Sequence, residues 1–322
     1  MSGLLEASDA RIDERGVPLV EGFSVSVPAC RRLGLIGDFS GLFRLFSGEA
    51  QLVSGRVELS GASVEAARSS GQLGVALATP PLIVEWEAER FLTEAARLGG
   101  QGAREAKGTA RLVLAALGQS HLATRRLATL TVAEKRAIAI ASALLDGPSV
   151  LAVESPTLGL DETNAALIVD VVERAQDGRS LIVSADALPH GEASRRLLET
   201  ADDVLVCEAG SLVARGKLAE LESPGGRFLV SVTRSGRELA ERLVTAGMAV
   251  TVARPSGAFT PFAMLEPAEL GDARRFVVSL ADPTSTRPIV DAALAVGAPI
   301  VELSPLPSRA DHKHSQRPLT ER

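Results

Sequence analysis

The stretch VLAVESPTLGLD, residues 150–161, determines how the rest of this sequence is interpreted. Its first four residues form an apolar run typical of a buried β-strand, and Glu154 follows at the carboxyl end of that run. The Pro-Thr pair at 156–157 then predicts a turn, which leads into Gly159-Leu160-Asp161. A strand that ends in an acid and a tight turn presents side chains at a sheet edge, so we expect a site here.

This arrangement resembles the segment of ATP-binding-cassette (ABC) ATPases in which a strand ends in Asp-Glu-Pro-Thr and continues to Gly-Leu-Asp. In that family the second acid polarises the water that attacks the nucleotide. Here Glu154 stands at the first acidic position and Ser155 at the second. The resemblance therefore implies an ABC frame without its catalytic carboxylate.

A second predicted strand, 33–36, runs into the loop and helix GDFSGLFRLFSG at 37–48. ABC ATPases have a glycine-rich loop here that ends in Lys-Ser/Thr, whose N–H groups and lysine hold phosphates. This loop is several residues shorter, has no lysine, and brings a carboxylate to the phosphate position. We expect no nucleotide in cis and favour a simple strand-to-helix turn. The degenerate loop positions are Gly37, Asp38, Ser40 and Gly41.

Two further positions that act in cis in the family have changed. Ala78 stands where the family has a glutamine that contacts the metal and the attacking water, and a methyl group coordinates nothing. Asp186 ends the strand predicted over 180–186, where the family has a histidine that hydrogen-bonds the γ-phosphate. The resemblance therefore predicts no catalytic residue in this chain, with Glu154, Ser155, Ala78 and Asp186 as degenerate positions.

The periodicity between residues 87 and 147 is helical and resembles the family's helical subdomain. Its last helix follows LTVAEKR, where the family has a glycine-rich signature that binds the partner subunit's nucleotide. Thr131 and Glu134 form a Thr-x-x-Glu capping box, and a well-capped helix explains both residues fully. A contact with a partner's nucleotide remains an alternative for Thr131, Glu134, Gly159 and Asp161.

The predicted fold class is α/β: an ABC-type nucleotide-binding-domain fold with a RecA-like core, an antiparallel β-subdomain and a helical subdomain, plus a small α+β domain. The ABC-like part is predicted over 1–222, and Ser-Pro-Gly-Gly at 223–226 predicts a linker. Residues 227–305 show a βαββαβ order typical of a ferredoxin-like sandwich. The polar, Pro-rich end, 306–322, is predicted to be disordered.

Composition excludes several classes of function. The 322 residues carry a net charge of −6, which argues against a nucleic-acid partner, since that needs a clustered basic face. Cys30 and Cys207 lack metal-ligand spacing, and no metal site is expected. The sequence shows no signal peptide and no apolar run long enough to span a bilayer, so we expect a cytoplasmic protein that reaches the inner membrane only through a permease.

Because ABC sites lie between two subunits, these losses favour a non-catalytic subunit that pairs with an intact ATPase and couples it to a membrane permease. ATP and Mg²⁺ would then be held by the partner subunit, and a homodimer remains an alternative pairing. A second hypothesis is a pseudo-ATPase that acts as a scaffold or regulator outside transport. A third, an active ATPase with rearranged motifs, needs a cation near Gly37; Arg44 is nearest, but helical spacing places it away from the phosphates.

Overall fold

The strands up to residue 216 form two sheets, which differ in strand direction. The structure is a computed structural model that describes residues 3–188, 191–208, 211–222, 224–253, 259–261, 274–280 and 285–307. Tertiary contacts divide the chain into two units, 1–210 and 211–322. The strands in question are β1 (Leu5–Glu14), β2 (Val17–Val27), β3 (Arg32–Gly37), β4 (Gln51–Leu59), β5 (Ala62–Ser63), β6 (Leu73–Ala76), β7 (Val150–Val153), β8 (Ser180–Ala185), β9 (Asp203–Glu208) and β10 (Ser211–Gly216).

The first sheet is antiparallel and has the order β2-β1-β4-β5. In β2, Phe23, Val25 and Val27 are buried while the serines between them are exposed. This alternation is expected of a strand with one face on the core and one in solvent. It confirms the β-subdomain predicted from the sequence pattern.

The second sheet has the order β10-β9-β3-β8-β7-β6, and β9, β3, β8, β7 and β6 pair in parallel. All four residues of β7 are buried, as expected for a strand covered on both faces. Parallel pairing places the carboxyl ends of β3, β7 and β8 at one edge of the sheet. The residues that follow these strands are thereby brought together.

Helices flank this sheet, and the three α-helices between residues 88 and 143 lie within the predicted helical subdomain, 87–147. The 14-residue helix Glu162–Ala175 fully buries its apolar residues Ile168, Val169 and Val172. Within the described ranges, no helix is long and apolar enough to cross a membrane. The helices up to residue 222 are α1 (Ser40–Ser47), α2 (Val64–Ser69), α3 (Ala88–Leu98), α4 (Ala103–Ala116), α5 (Val132–Ala143), α6 (Glu162–Ala175), α7 (Glu192–Glu199) and α8 (Leu218–Glu222).

The remaining elements build an antiparallel sheet of order β13-β12-β14-β11-β15 with two helices. Its core includes Val230, Leu239, Phe276 and Ile289. The order is the predicted ferredoxin-like βαββαβ arrangement with one added short strand, β13. The elements are β11 (Pro224–Val232), α9 (Gly236–Thr245), β12 (Ala249–Ala253), β13 (Phe259–Pro261), β14 (Arg275–Ser279), α10 (Arg287–Val296) and β15 (Ile300–Pro307).

Segment limits differ from the sequence prediction at two places. Within the predicted linker 223–226, β11 already begins at Pro224, because its backbone pairs with Pro307 of β15. The predicted tail 306–322 likewise begins inside β15, and residues 308–322 lie outside the described part of the chain. The contact boundary after residue 210 precedes the predicted domain limit at 222, since α8 contacts β15.

Candidate functional site

A cavity of about 350 Å³ lies where β3, β7 and β8 end. It is lined by most of the positions predicted from sequence, whereas a larger hollow of about 480 Å³ beside α1, α2 and β4 is lined by none of them. The predicted lining residues are Gly37, Asp38, Ser40, Ala78, Glu154, Ser155 and Asp186. Phe39, Leu158 and Ser184 complete the lining.

In the loop after β3, the Asp38 carboxylate is hydrogen-bonded to the first residue of α1. Gly37 has a φ of +106°, and a Cβ there would lie 1.9 Å from the Cys207 carbonyl oxygen, so only glycine fits. Asp38 Oδ1 accepts hydrogen bonds from the backbone N–H of Ser40 at 3.1 Å and from its hydroxyl at 2.7 Å. An anion from within the chain therefore occupies the start of α1, the end of a helix that favours anions.

The next residues of the loop fix α1 to the antiparallel sheet. Phe39 is 4% exposed, and its ring meets Phe23 edge-on with centroids 6.1 Å apart. Gly41 is buried and is not among the residues that line the cavity. It packs closely against β2, because a Cβ there would lie 2.7 Å from the Val20 side chain. These contacts hold the short loop against β2.

Glu154 is a half-buried acid in the cavity wall. Its Oε2 accepts a hydrogen bond from the Ala78 N–H at 3.0 Å, which ties the end of β7 to the segment after β6. Burial raises the pKa of Glu154; the Ala78 N–H and Arg44 oppose this rise, and Asp186 and Glu49 add to it. The charged form of this acid is thus less favourable than in water.

Arg44 does not reach the loop as a phosphate-binding cation would. It lies in the last turn of α1 and forms an ion pair with Glu14 of β1. This placement agrees with the expectation from helical spacing.

Ser155 is buried at the floor of the cavity in a left-handed conformation, with φ 38°. Its backbone N–H donates to Ser184 Oγ at 3.0 Å, and its hydroxyl donates to Asp186 Oδ1 at 2.5 Å. A hydroxyl that donates to a carboxylate is not a base, so this position polarises no water. Ser155 and Asp186, which both replace family residues, are therefore hydrogen-bond partners within the chain.

Arg136 was not singled out from the sequence, yet it joins three segments around the cavity. Its Nη1 donates to the Pro156 carbonyl at 2.9 Å and its Nε to the Ala78 carbonyl at 3.4 Å. Burial lowers the pKa of Arg136, and Asp186 opposes that effect. The available signal was an arginine directly before the apolar run AIAIASALL, 137–145, on a helix whose other face is buried, which predicts a cation with specific partners.

The capping box at the start of α5 is confirmed. Glu134 N–H donates to the Thr131 hydroxyl at 3.2 Å, and Thr131 N–H donates to Glu134 Oε2 at 2.8 Å. Arg125 forms an ion pair with the other Glu134 oxygen. Val132, the first residue of this helix, is 56% exposed.

The start of α6 is capped in a similar way. Asp161 accepts hydrogen bonds from the backbone N–H of Asn164 at 3.0 Å and from its side-chain amide at 2.7 Å. These two bonds lower the pKa of Asp161. Gly159 has a φ of +67° and open space around it, so its glycine character serves the turn. The four candidate cross-subunit residues therefore lie at the capped starts of two helices or in the turn before α6.

Among the described residues, no group of three or more His, Cys, Asp or Glu side chains could hold a metal ion.

A family comparison matches residues 20–158 to the model described as ABC transporter. The match extends from β2 to the turn after β7 and includes most of the cavity lining. Over residues 20–158 the chain matches the ATP-binding domain of ABC transporters.

Curated relatives match this ABC domain in sequence. Molybdenum import ATP-binding protein ModC of Brucella suis biovar 1 is 31% identical over 135 residues, 40% of this chain and 36% of ModC. Nickel import ATP-binding protein NikO of Rhodobacter capsulatus is 32% identical over 149 residues, 45% of this chain and 50% of NikO. Daunorubicin/doxorubicin resistance ATP-binding protein DrrA of Streptomyces peucetius is 27% identical over 164 residues, 50% of this chain and 48% of DrrA. The matched region spans half or less of each relative.

Solved ABC structures share the fold. CbiO1 from Clostridium perfringens, described as part of the ABC transporter complex cbiONQ, has a TM-score of 0.56 at 19% identity and covers 68% of this chain and 90% of that one. The ADP conformation of MJ1267, an ATP-binding cassette, also has a TM-score of 0.56, at 18% identity, and covers 69% and 96%. At these identities the likeness concerns the fold alone, and it confirms the predicted ABC-type architecture.

Proposed function

We propose that this chain is a non-catalytic ABC ATPase-like subunit that pairs with an intact ATPase and helps couple it to a membrane permease. The observation that carries the proposal is the charge of the cavity. Asp38, Glu154 and Asp186 all line it, and the described lining includes neither lysine nor arginine. A triphosphate placed there would face like charges without a neutralising cation, which is unfavourable even in a solvated site.

The geometry of the loop supports the same proposal. The start of α1 already has an anion, because Asp38 accepts from the backbone N–H and hydroxyl of Ser40. A bound phosphate would have to displace this carboxylate and then remain beside it. In this proposal no nucleotide binds in cis, and any ATP and Mg²⁺ belong to the partner subunit.

The side chains at two cavity positions also differ from those that ATP hydrolysis requires. Ser155 is a donor to Asp186, and Ala78 offers a methyl group where a metal ligand would be needed. Neither side chain can accept a proton from water at neutral pH. This supports assigning the chain no ATPase activity of its own.

The partner subunits are proposed by analogy with the proteins that this chain matches. ModC and NikO are named import ATP-binding proteins, and cbiO1 is described as part of a transporter complex. By analogy this chain would lie in the cytoplasm, bound to the inner membrane through a permease. Co-purification with a multi-span permease and an ATP-competent homologue would support this placement, while a soluble partner without a permease would favour the scaffold hypothesis.

The direct test is a calorimetric titration of the full chain with Mg²⁺ and a non-hydrolysable ATP analogue. We expect no binding at micromolar concentrations and no phosphate release from ATP. An ABC ATPase with an intact Lys-Ser/Thr loop serves as the positive control. Micromolar binding or turnover by the isolated chain would overturn the proposal.

A Ser155→Glu variant forms the second arm of that experiment. It restores the carboxylate of the family motif and leaves the loop after Gly37 unchanged. We expect it to remain inactive, because the phosphates would still lack a cradle and a cation. Activity in this variant would show that the loop is competent to hold a nucleotide.

A further inference from the structure

The carboxyl ends of β7 and β8 are joined by hydrogen bonds that begin at one residue. Ser155 donates from its backbone N–H to Ser184 Oγ and from its hydroxyl to Asp186 Oδ1, at 3.0 and 2.5 Å. Ser155 is 5% exposed and Ser184 is 3% exposed, so little water competes for the two serine hydroxyls. The contact links neighbouring parallel strands that lie far apart in sequence.

The backbone of Ser155 requires such an anchor. A non-glycine residue with a φ of 38° is in the left-handed region, which persists only where the surroundings impose it. The bonds to Ser184 and Asp186 hold Ser155 from the β8 side. Arg136 of α5 also donates to the carbonyl of Pro156, the next residue.

We propose that Ser155, Ser184 and Asp186 form a latch that holds the turn at 154–158 in one conformation whether or not a ligand is near the cavity. The turn continues through a Leu158 N–H bond to the Ser155 carbonyl at 3.1 Å, so fixing Ser155 fixes the turn. This inference rests on the proposed function, since a turn locked by its own chain takes no part in hydrolysis. The latch adds that Ser155 and Asp186, which stand where the family has an acid and a histidine, act together.

The same cavity contains a matched control pair. Ser40 Oγ donates to Asp38 Oδ1 at 2.7 Å, with the same two residue types, but both residues are exposed and only two positions apart. A solvated local pair contributes little, because water replaces its hydrogen bond when it breaks. The latch and the control pair therefore differ in burial and in the segments they join.

The test is hydrogen–deuterium exchange on the full chain, read in peptides covering 154–160. We expect Ser155→Ala and Asp186→Ala each to speed exchange there about fivefold or more, and the double variant to be no faster than the faster single one. Ser40→Ala, Asp38→Ala and their double variant should leave these peptides within about twofold of the parent protein. Unchanged exchange in both latch variants, or effects that multiply in the double variant, would overturn the latch.

Two readouts separate this result from misfolding and from the proposed function. Peptides from α4, which belongs to the same unit as the latch, report whether each variant is folded. Asp186 is exposed, so its truncation tests the latch even where Ser155→Ala lowers the yield. Adding Mg²⁺ and the ATP analogue to the parent protein should leave exchange at 154–160 unchanged. Protection by the analogue would contradict the proposed function, whatever the variants show.

Discussion

Carboxylates in two regions of the molecule have pKa shifts of opposite sign. The pKa of Glu154, in the cavity at the ends of β3, β7 and β8, is raised, whereas the pKa values of Glu134 and Asp161, at the capped starts of α5 and α6, are lowered. In the cavity, burial raises the pKa of Glu154, and Asp186 and Glu49 raise it further. At the start of α5, burial also raises the pKa of Glu134, but the Thr131 N–H and the Arg125 guanidinium outweigh it and the pKa falls. For Glu154, burial and like charge outweigh the opposing Ala78 N–H and Arg44, whereas for Glu134 the hydrogen-bonding partners outweigh burial.

Under the proposed function, the two regions disfavour a phosphate for separate physical reasons. In the cavity, the reason is the acidic lining. At the helix starts, the reason is that the Thr131 hydroxyl and the Asp161 carboxylate are already engaged in capping. The predictions below test this contrast with one change in each region.

The largest effect is expected from two glycines with positive φ. Gly37→Ala should destabilise the protein by about 3 kcal/mol, because the new Cβ would lie 1.9 Å from the Cys207 carbonyl oxygen. Gly159→Ala should cost about 1 kcal/mol, since its strain is conformational and the space around it is open. Urea unfolding followed by the fluorescence of Trp86, the single tryptophan, measures both.

Equal losses at the two positions would contradict the close packing of the loop against β9. A larger loss at Gly159 would contradict the open space around that turn.

An intermediate effect is expected at the start of α5. Thr131→Ala removes the acceptor of the Glu134 N–H and should cost about 1 kcal/mol in the same unfolding measurement. Thr131→Ser keeps a hydroxyl and should restore most of that loss. If serine were as destabilising as alanine, the hydroxyl would not be the stabilising group.

Much of the fold followed from local patterns. The apolar runs at 150–153 and 33–36 predicted buried strands, and the spacing of Thr131 and Glu134 predicted the start of α5. The positions that line the cavity were predicted through the resemblance to ABC ATPases, and they meet because residues after parallel strands lie at one sheet edge. Local signals sufficed wherever the relevant contact lay within one element or followed from strand direction.

Other features depended on contacts that the sequence pattern does not display. The left-handed φ of Ser155 and its bond to Asp186 join two strands, and the two carbonyls that Arg136 binds come from separate segments. The Ser-Pro-Gly-Gly stretch predicted a linker from composition, yet the pairing of Pro224 with Pro307 draws it into β11. In each case a partner distant in sequence decided the outcome.

The smallest effects are expected from pH, and they should have opposite signs in the two regions. Because the pKa of Glu154 is raised, its contribution to stability is fully present below the unfolded-state pKa and is lost as pH rises through the folded one. Because the pKa of Glu134 is lowered, its contribution is present above the unfolded-state pKa and is lost as pH falls through the folded one.

Glu154→Gln should therefore be more stable than the parent protein near neutral pH, and Glu134→Gln less stable, each by less than about 1 kcal/mol because both groups are partly solvated. The Glu154→Gln difference should shrink as pH falls through the raised folded-state pKa of Glu154, whereas the Glu134→Gln difference should begin to shrink only below the unfolded-state pKa, about 4.3. Urea unfolding of the three proteins between about pH 7.5 and pH 3 measures the two ranges. A Glu154→Gln variant that loses stability at neutral pH would mean that the cavity stabilises its charge after all, and the contrast between the two regions would then rest on geometry alone.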